Sequence, residues 1–175
     1  MTAAKTLLVL AGGTGGHVFP ALATADWLRQ QGWHIEWLGS QRGMETRLIP
    51  ATGIKLHCIT VSGLRGKGRL SLLLAPFTLL RALWQAVAVL RQVNPDVVLG
   101  MGGFASGPGG LAAWLLRKPL LVHEQNAIPG LTNRILARLS TRVLEAFPGA
   151  FAPKFAALHT GNPVRSHIAA LAEPA

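Results

Sequence analysis

The chain has 175 residues, half of them hydrophobic, and carries 17 Lys and Arg against 7 Asp and Glu for a net charge of +10. That length suits one well-packed domain and is too short for two large ones. The single cysteine, Cys58, excludes an intrachain disulfide, and no His/Cys/Asp/Glu spacing resembles a metal site.

The first predicted strand, Thr6–Ala11, runs into Gly12-Gly13-Thr14-Gly15-Gly16-His17. Glycines let a backbone approach a ligand closely, and a helix start offers free N–H groups to an anion. A helix is predicted over Pro20–Gln31, with Pro20 suited to an early helical position and Gly32 to a stop. Lys5 and five apolar residues before Gly12 are too short a core for a signal peptide. A strand over His34–Gly39, a helix over Met44–Ala51 and a strand over Leu56–Val61 follow, the last expected to bury Cys58.

The middle of the chain is basic. No acid lies between Glu45 and Asp96, where Arg47, Lys55, Arg65, Lys67, Arg69, Arg81 and Arg91 all occur. Such a field suits nucleic acid, anionic lipid or a phosphorylated substrate. After a glycine-rich basic loop, Ser62–Arg69, a helix is predicted over Leu70–Gln92. Leu73, Phe77, Leu80 and Trp84 share one face, and Leu79, Leu83, Ala86 and Leu90 another. One face can dock on a sheet while the other rests on an anionic membrane, each basic group adding about 1 kcal/mol. A fully buried core helix is the competing reading. Arg81 near the centre of this stretch would cost about 2.5–3.5 kcal/mol in a bilayer, so no membrane span is predicted.

Strands at Val97–Gly100, Leu120–His123 and Arg142–Ala146 alternate with helices at Gly107–Leu116 and Leu131–Leu139. The alternation predicts an α/β fold with a parallel sheet and crossover helices, and a mean hydropathy of +0.36 fits a sheet buried on both faces. Unusual loops follow the first, fourth and fifth strands: the glycine run, Gly102-Gly103-Phe104-Ala105-Ser106, and His123-Glu124-Gln125-Asn126. Ligands bind beyond the carboxyl ends of parallel strands, so the three loops predict a single cleft.

Val18 stands where a dinucleotide G-x-G-x-x-G would place its last glycine, and no Gly-Lys-Ser/Thr completes a P-loop. His17 can take a proton from a hydroxyl or can simply cap the helix. Glu124 can orient a base, bind sugar hydroxyls or pair with an arginine. Asn126 offers a donor and an acceptor to a sugar or base edge. Gly103–Gly107 does not match the G-x-S-x-G elbow of a serine hydrolase, so the loop around Ser106 reads as a backbone cradle for phosphate. One rival is an NADP-dependent reductase using Ser40 and Arg42, disfavoured by the glycine spacing. Another is a noncatalytic membrane-surface, phosphate-ligand or nucleic-acid binding module. No stacking pattern supports nucleic acid as a partner.

Six segments together resemble the MurG family of peptidoglycan glycosyltransferases: Gly12–Ala23, Ser62–Gly68, Gly100–Phe104, Ser106–Pro108, His123–Asn126 and Gly161–Arg165. The resemblance implies the N-terminal, Rossmann-like half of a two-domain GT-B fold, with helices on both faces of the sheet. Residues 1–161 would be the acceptor- and membrane-binding domain and 162–175 the start of an interdomain linker. The donor-binding domain would be missing and the chain inactive alone. The family adds GlcNAc from UDP-GlcNAc to lipid I, making lipid II, as a peripheral enzyme on the cytoplasmic face of the bacterial inner membrane. The resemblance gives Thr14, Gly15, Gly16, Asn126 and Arg165 a part in donor binding. It makes His17 a catalytic histidine and so the first candidate for the base or its hydrogen-bond network; Glu124, from its place at a strand end, is the second. It places the acceptor pyrophosphate on Gly12, Gly13, Gly102, Gly103, Phe104 and Ser106. Membrane association falls to Arg65, Lys67, Arg69, Leu73, Phe77, Leu80, Arg81 and Trp84. Neither a metal nor a cofactor is implied.

Overall fold

The computed structural model describes residues 4–61 and 74–165. Its sheet contains β1 (Thr6–Ala11), β2 (His34–Ser40), β3 (Lys55–Ile59), β4 (Val97–Gly102), β5 (Leu120–Glu124), β6 (Arg142–Glu145) and β7 (Leu158–His159). All neighbours are parallel, in the order β3-β2-β1-β4-β5-β6-β7. The helices are α1 (Gly15–Gln30), α2 (Glu45–Leu48), α3 (Ala75–Val93), α4 (Ser106–Leu115) and α5 (Leu131–Leu136). Short 3-10 turns add Pro50–Thr52 and Pro153–Phe155.

Strand alternation sorts the core into two layers. Leu7, Val9, Ala11, Ile35, Trp37 and Leu99 pack with Val18, Ala21, Leu22 and Ala25 of α1. Leu8, Leu10, Leu38, Val98, Leu120 and Val122 pack with Ala82, Ala86 and Leu90 of α3, Ala112 and Ala113 of α4, and Leu136 of α5. Helices therefore cover both faces, and the chain forms the parallel sheet that its alternation predicts, Rossmann-like as the resemblance implies.

The details depart from prediction in several places. Helix α1 begins at Gly15, so His17 lies in its first turn and Pro20 inside it. Proline lacks an N–H, and the carbonyl it leaves unpaired belongs to exposed Gly16, where water reaches it. Cys58 is exposed rather than buried, because β3 is an edge strand. Partial burial and the charge of Glu45 raise its thiol above the ordinary value. Helix α3, by contrast, docks by one face as its spacing predicts and is not engulfed: Ala75, Ala82, Ala86 and Leu90 are buried while Phe77 and Trp84 are each 71% exposed. Finally, β7 is two residues long and carries no pattern to read. Arg65, Lys67, Arg69 and Leu73, with the basic loop, lie outside the described residues. No helix among the described residues is long and apolar enough to cross a membrane.

One edge cluster carries a pH dependence. Glu36 of β2 accepts bonds from His57 Nε2 and, at 3.2 Å, from His34 Nε2, with Lys55 Nζ at 3.7 Å. Burial alone would raise this carboxyl; the two histidine bonds and the charges of His57 and Lys55 outweigh it and hold the group below its ordinary value. A carboxyl depressed by folding stabilises the fold above its unfolded pKa, and that stabilisation disappears as pH falls through the folded value. Glu36→Gln is therefore expected to lose about 1–2 kcal/mol at neutral pH and to flatten the acid limb of the stability curve. Urea titrations at stepped pH measure both; an unchanged acid limb would refute the assignment.

Candidate functional site

The strand order reverses at β1 and β4, and a crevice opens beyond the carboxyl ends of strands at such a switch point. Both strands end there in glycine loops. β4 takes one extra residue against β1: Leu10 pairs with Gly100 but Ala11 with Gly102, so the strand bulges at Met101. The bulge carries the second loop onto the first. Gly12 N donates to Gly102 O at 3.3 Å. A Cβ on Gly103 would stand 2.2 Å from Gly12 O, and one on Gly102 would stand 2.7 Å from the His17 ring. Both glycines also have φ near +90 to +100°, at +92 and +103. The two loops are thus a single packed unit.

Glu45 holds the first loop from below, a role the sequence reading missed. This carboxylate is fully buried. It accepts from Gly13 N at 2.9 Å, Ser40 N at 2.7 Å and Ser40 Oγ at 2.8 Å. Gly12, Gly39 and Gly43 surround it so tightly that a Cβ on any of them would overlap it. The legible signal was an isolated acid among glycines in a basic stretch. Trp37 Nε1 adds a 2.8 Å bond to Ala11 O at the root of the loop.

His17 is half-buried in the first turn of α1, its Nδ1 3.2 Å from Gln125 Oε1. Gln125 Nε2 lies 3.1 Å from His123 Nδ1 and 3.2 Å from His123 O, and His123 Nε2 lies 3.0 Å from Gly161 O. Burial pulls the His123 imidazole below its ordinary value, against the opposing pull of Gly161 O and Glu124. Gln125 was not among the sequence candidates.

Glu124 is fully buried and fully engaged. Its Oε1 accepts from Asn126 N (3.0 Å) and Asn126 Nδ2 (2.8 Å), and its Oε2 from Gly130 N (3.1 Å) and Asn133 Nδ2 (2.9 Å). The geometry makes it the organiser of the loop that presents Asn126, which is exposed. Ser106 differs from its expected place on the cleft surface: it is buried, and its hydroxyl lies 2.7 Å from both Leu10 O and Gly102 O. Its contribution is to clamp β1 to β4, because a hydroxyl shared between two carbonyls has no proton left for a ligand. Thr14 is exposed at the α1 N-cap and makes no side-chain capping bond. The Arg165 guanidinium lies 4.8 Å from the ring centre of Phe19, on the turn that follows Gly15 and Gly16.

These elements border one cleft of about 1030 Å³. Its polar end is formed by Gly12, Gly13, Thr14, His17, Gly102, Gly103 and Asn126. Its apolar end lies between α3 (Pro76, Leu79, Leu80, Leu83), Phe104 and Leu111, and α5 with its flanks (Ile128, Leu131, Ile135, Leu139). α1 and α4 both begin at the polar end, and the first N–H groups of a helix have no internal partner. The lining holds no lysine or arginine among the described residues, so an anion there meets helix N-termini rather than ammonium groups. Among the described residues no cluster of metal-ligating side chains occurs.

Residues 7–145 match the glycosyltransferase family 28 N-terminal domain. The chain is 61% identical over 170 residues to the UDP-N-acetylglucosamine--N-acetylmuramyl-(pentapeptide) pyrophosphoryl-undecaprenol N-acetylglucosamine transferase of Marinobacter nauticus, covering 97% of this chain and 47% of that protein. The transferase of the same name from Aeromonas hydrophila is 59% identical over the same shares. The crystal structure of Acinetobacter baumannii MurG superposes with a TM-score of 0.75 at 46% identity, covering 85% of this chain and 43% of that one. A Streptomyces glycosyltransferase at 18% identity and TM-score 0.60 shares the fold. The chain thus spans about half the length of the curated relatives it matches. Helix-flanked parallel sheet, glycine loops at the switch point and the extent of these matches agree: the chain belongs to glycosyltransferase family 28.

Proposed function

We propose that this chain is the acceptor-binding half of the inverting glycosyltransferase that moves GlcNAc from UDP-GlcNAc to the MurNAc C4 hydroxyl of lipid I, giving lipid II. The observation that carries this reading is the two-ended cleft. An anion cradle with a histidine at its rim adjoins an apolar groove, which suits an acceptor that is a diphosphate bearing both a sugar and a polyprenyl chain. His17 takes the proton of the C4 hydroxyl as that oxygen bonds to the anomeric carbon. The bond from that carbon to the UDP oxygen breaks, and UDP leaves with the electron pair. Thr14, Gly15, Gly16, Asn126 and Arg165 meet the donor from this side of the cleft, the rest of its contacts coming from a second domain. Gly12, Gly13, Gly102 and Gly103 hold the acceptor diphosphate by backbone dipoles, with Phe104 on the apolar side. Glu124 and Ser106 act through the loops they brace.

Phe77, Leu80 and Trp84 project from α3 beside Arg81, all four of them exposed. This face, with the surplus of positive charge, suits peripheral attachment to the anionic, cytoplasmic face of the bacterial inner membrane. The test titrates a soluble lipid I analogue and UDP-GlcNAc separately against the chain, then adds anionic vesicles. Saturable analogue binding with weak donor binding is the expected result, and Phe77→Ser with Trp84→Ser should weaken vesicle binding by about tenfold or more. Tight UDP-GlcNAc binding without analogue binding would reverse the assignment of the halves. Vesicle binding alone would leave a noncatalytic membrane-surface module.

A further inference from the structure

Four groups in line connect the candidate base to the far end of the described chain: His17, Gln125, His123 and Gly161. The direction of every proton in the line follows from its two backbone-carbonyl contacts, His123 O and Gly161 O. A backbone carbonyl only accepts, so the Gln125 atom 3.2 Å from His123 O is the amide nitrogen. The same nitrogen faces His123 Nδ1 at 3.1 Å, which must then be bare. The His123 proton is therefore on Nε2, where it donates to Gly161 O at 3.0 Å. With its nitrogen fixed toward His123, Gln125 can turn only Oε1 toward His17. An amide oxygen only accepts, so His17 carries its proton on Nδ1 and its Nε2 is the bare nitrogen.

We infer that Gln125 and His123 are positioning residues that lock His17 in the Nδ1–H tautomer, leaving Nε2 as the proton acceptor. The role given to Nε2 rests on the proposed function; the tautomer does not. The arrangement has the logic of a base held by an orienting partner, but the partner here is a neutral amide. A carboxylate in that place would favour the imidazolium, whereas an amide oxygen fixes direction without adding charge. The line also ends on the backbone. Gly161 has φ +71 and lies four residues before Arg165, so the segment that packs Arg165 against Phe19 also anchors the base.

The test labels the histidines of the 175-residue chain with 15N and reads two-bond 1H–15N spectra at mildly alkaline pH, where bare and protonated ring nitrogens resonate far apart. The expected result is His17 protonated on Nδ1 and His123 on Nε2. A His17 proton on Nε2 in the unmodified chain would overturn the inference with no mutation needed. Gln125→Met should let His17 lose its Nδ1–H preference. In Gln125→Glu one carboxylate oxygen keeps the acceptor place of Oε1 toward His17 and the other replaces the donor amide toward His123, so His17 should keep its proton on Nδ1 while the His123 proton moves from Nε2 to Nδ1. An unmoved His17 in a folded Gln125→Met chain, judged by its backbone amide spectrum, would equally refute it. In a protein carrying both halves, Gln125→Met should lower kcat at least tenfold with KM changed less than twofold, and Gln125→Glu should restore part of the loss. An intact tautomer lock with His17→Ala still fully active would refute the functional reading alone.

Discussion

Gly103→Ala is expected to destabilise the folded chain by about 2–6 kcal/mol, a large part of the stability of a domain this size. Two costs combine. The residue sits at φ +92, which an L side chain rarely adopts, a strain of about 1–3 kcal/mol. The new Cβ would also stand 2.2 Å from Gly12 O, and overpacking costs about 1–3 kcal/mol where neighbours can yield. Here yielding is hard, because Gly12 is bonded to Gly102 and its own flank rests on Glu45. Urea denaturation reads the change directly. A midpoint shift worth less than about 1 kcal/mol would mean that the two loops move apart freely, and the single packed unit would be wrong. Gly53→Ala is the natural control: φ there is +74 but nothing lies within 4 Å, so only the backbone strain is added.

His17→Ala carries the second large effect, on rate rather than stability. In a protein with both halves, kcat should fall by about 10²–10⁴, the usual contribution of a positioned general base. Binding of a lipid I analogue should change little, because the helix N-termini that form the cradle remain. The ring is half-buried and its known partner is Gln125, so the fold should survive the truncation. A loss below about fivefold would reduce His17 to a packing residue. A loss confined to KM would instead make it a ligand contact, since removal of uniform binding leaves kcat untouched.

The sheet was readable because strand and helix signals in this chain are strong and local. β1, β2 and β5 are apolar runs closed by glycine or a polar cluster, and their predicted bounds lie within a residue of those observed. Contacts between distant segments were not readable. The glycines at 102 and 103 looked like ligand glycines, yet their first duty is to clear Gly12 O and the His17 ring. Ser106 looked like a cleft residue because its neighbours are, but it is buried with its hydroxyl between Leu10 O and Gly102 O. Gln125 was passed over because an amide between a histidine and a glutamate shows no chemistry until its two ends are seen to face two imidazoles. Cys58 was expected to be buried from its neighbours, and only the strand order reveals that β3 is an edge. For α3, helical spacing separated its faces, but burial decided the docked one: Ala82, Ala86 and Leu90 touch the sheet, while Leu79 lines the groove.

The pocket around Glu45 has a consequence for how the chain can vary. Gly12, Gly39 and Gly43 belong to three different segments, yet all three are restricted by the bulk of one side chain. Single substitutions at these positions fail for a shared reason, and shortening the side chain at 45 relieves the crowding at all three while leaving Gly13 N and Ser40 N without their acceptor. Substitutions at positions 12, 39 and 43 should therefore be tolerated more often in a chain already shortened at position 45 than in this one.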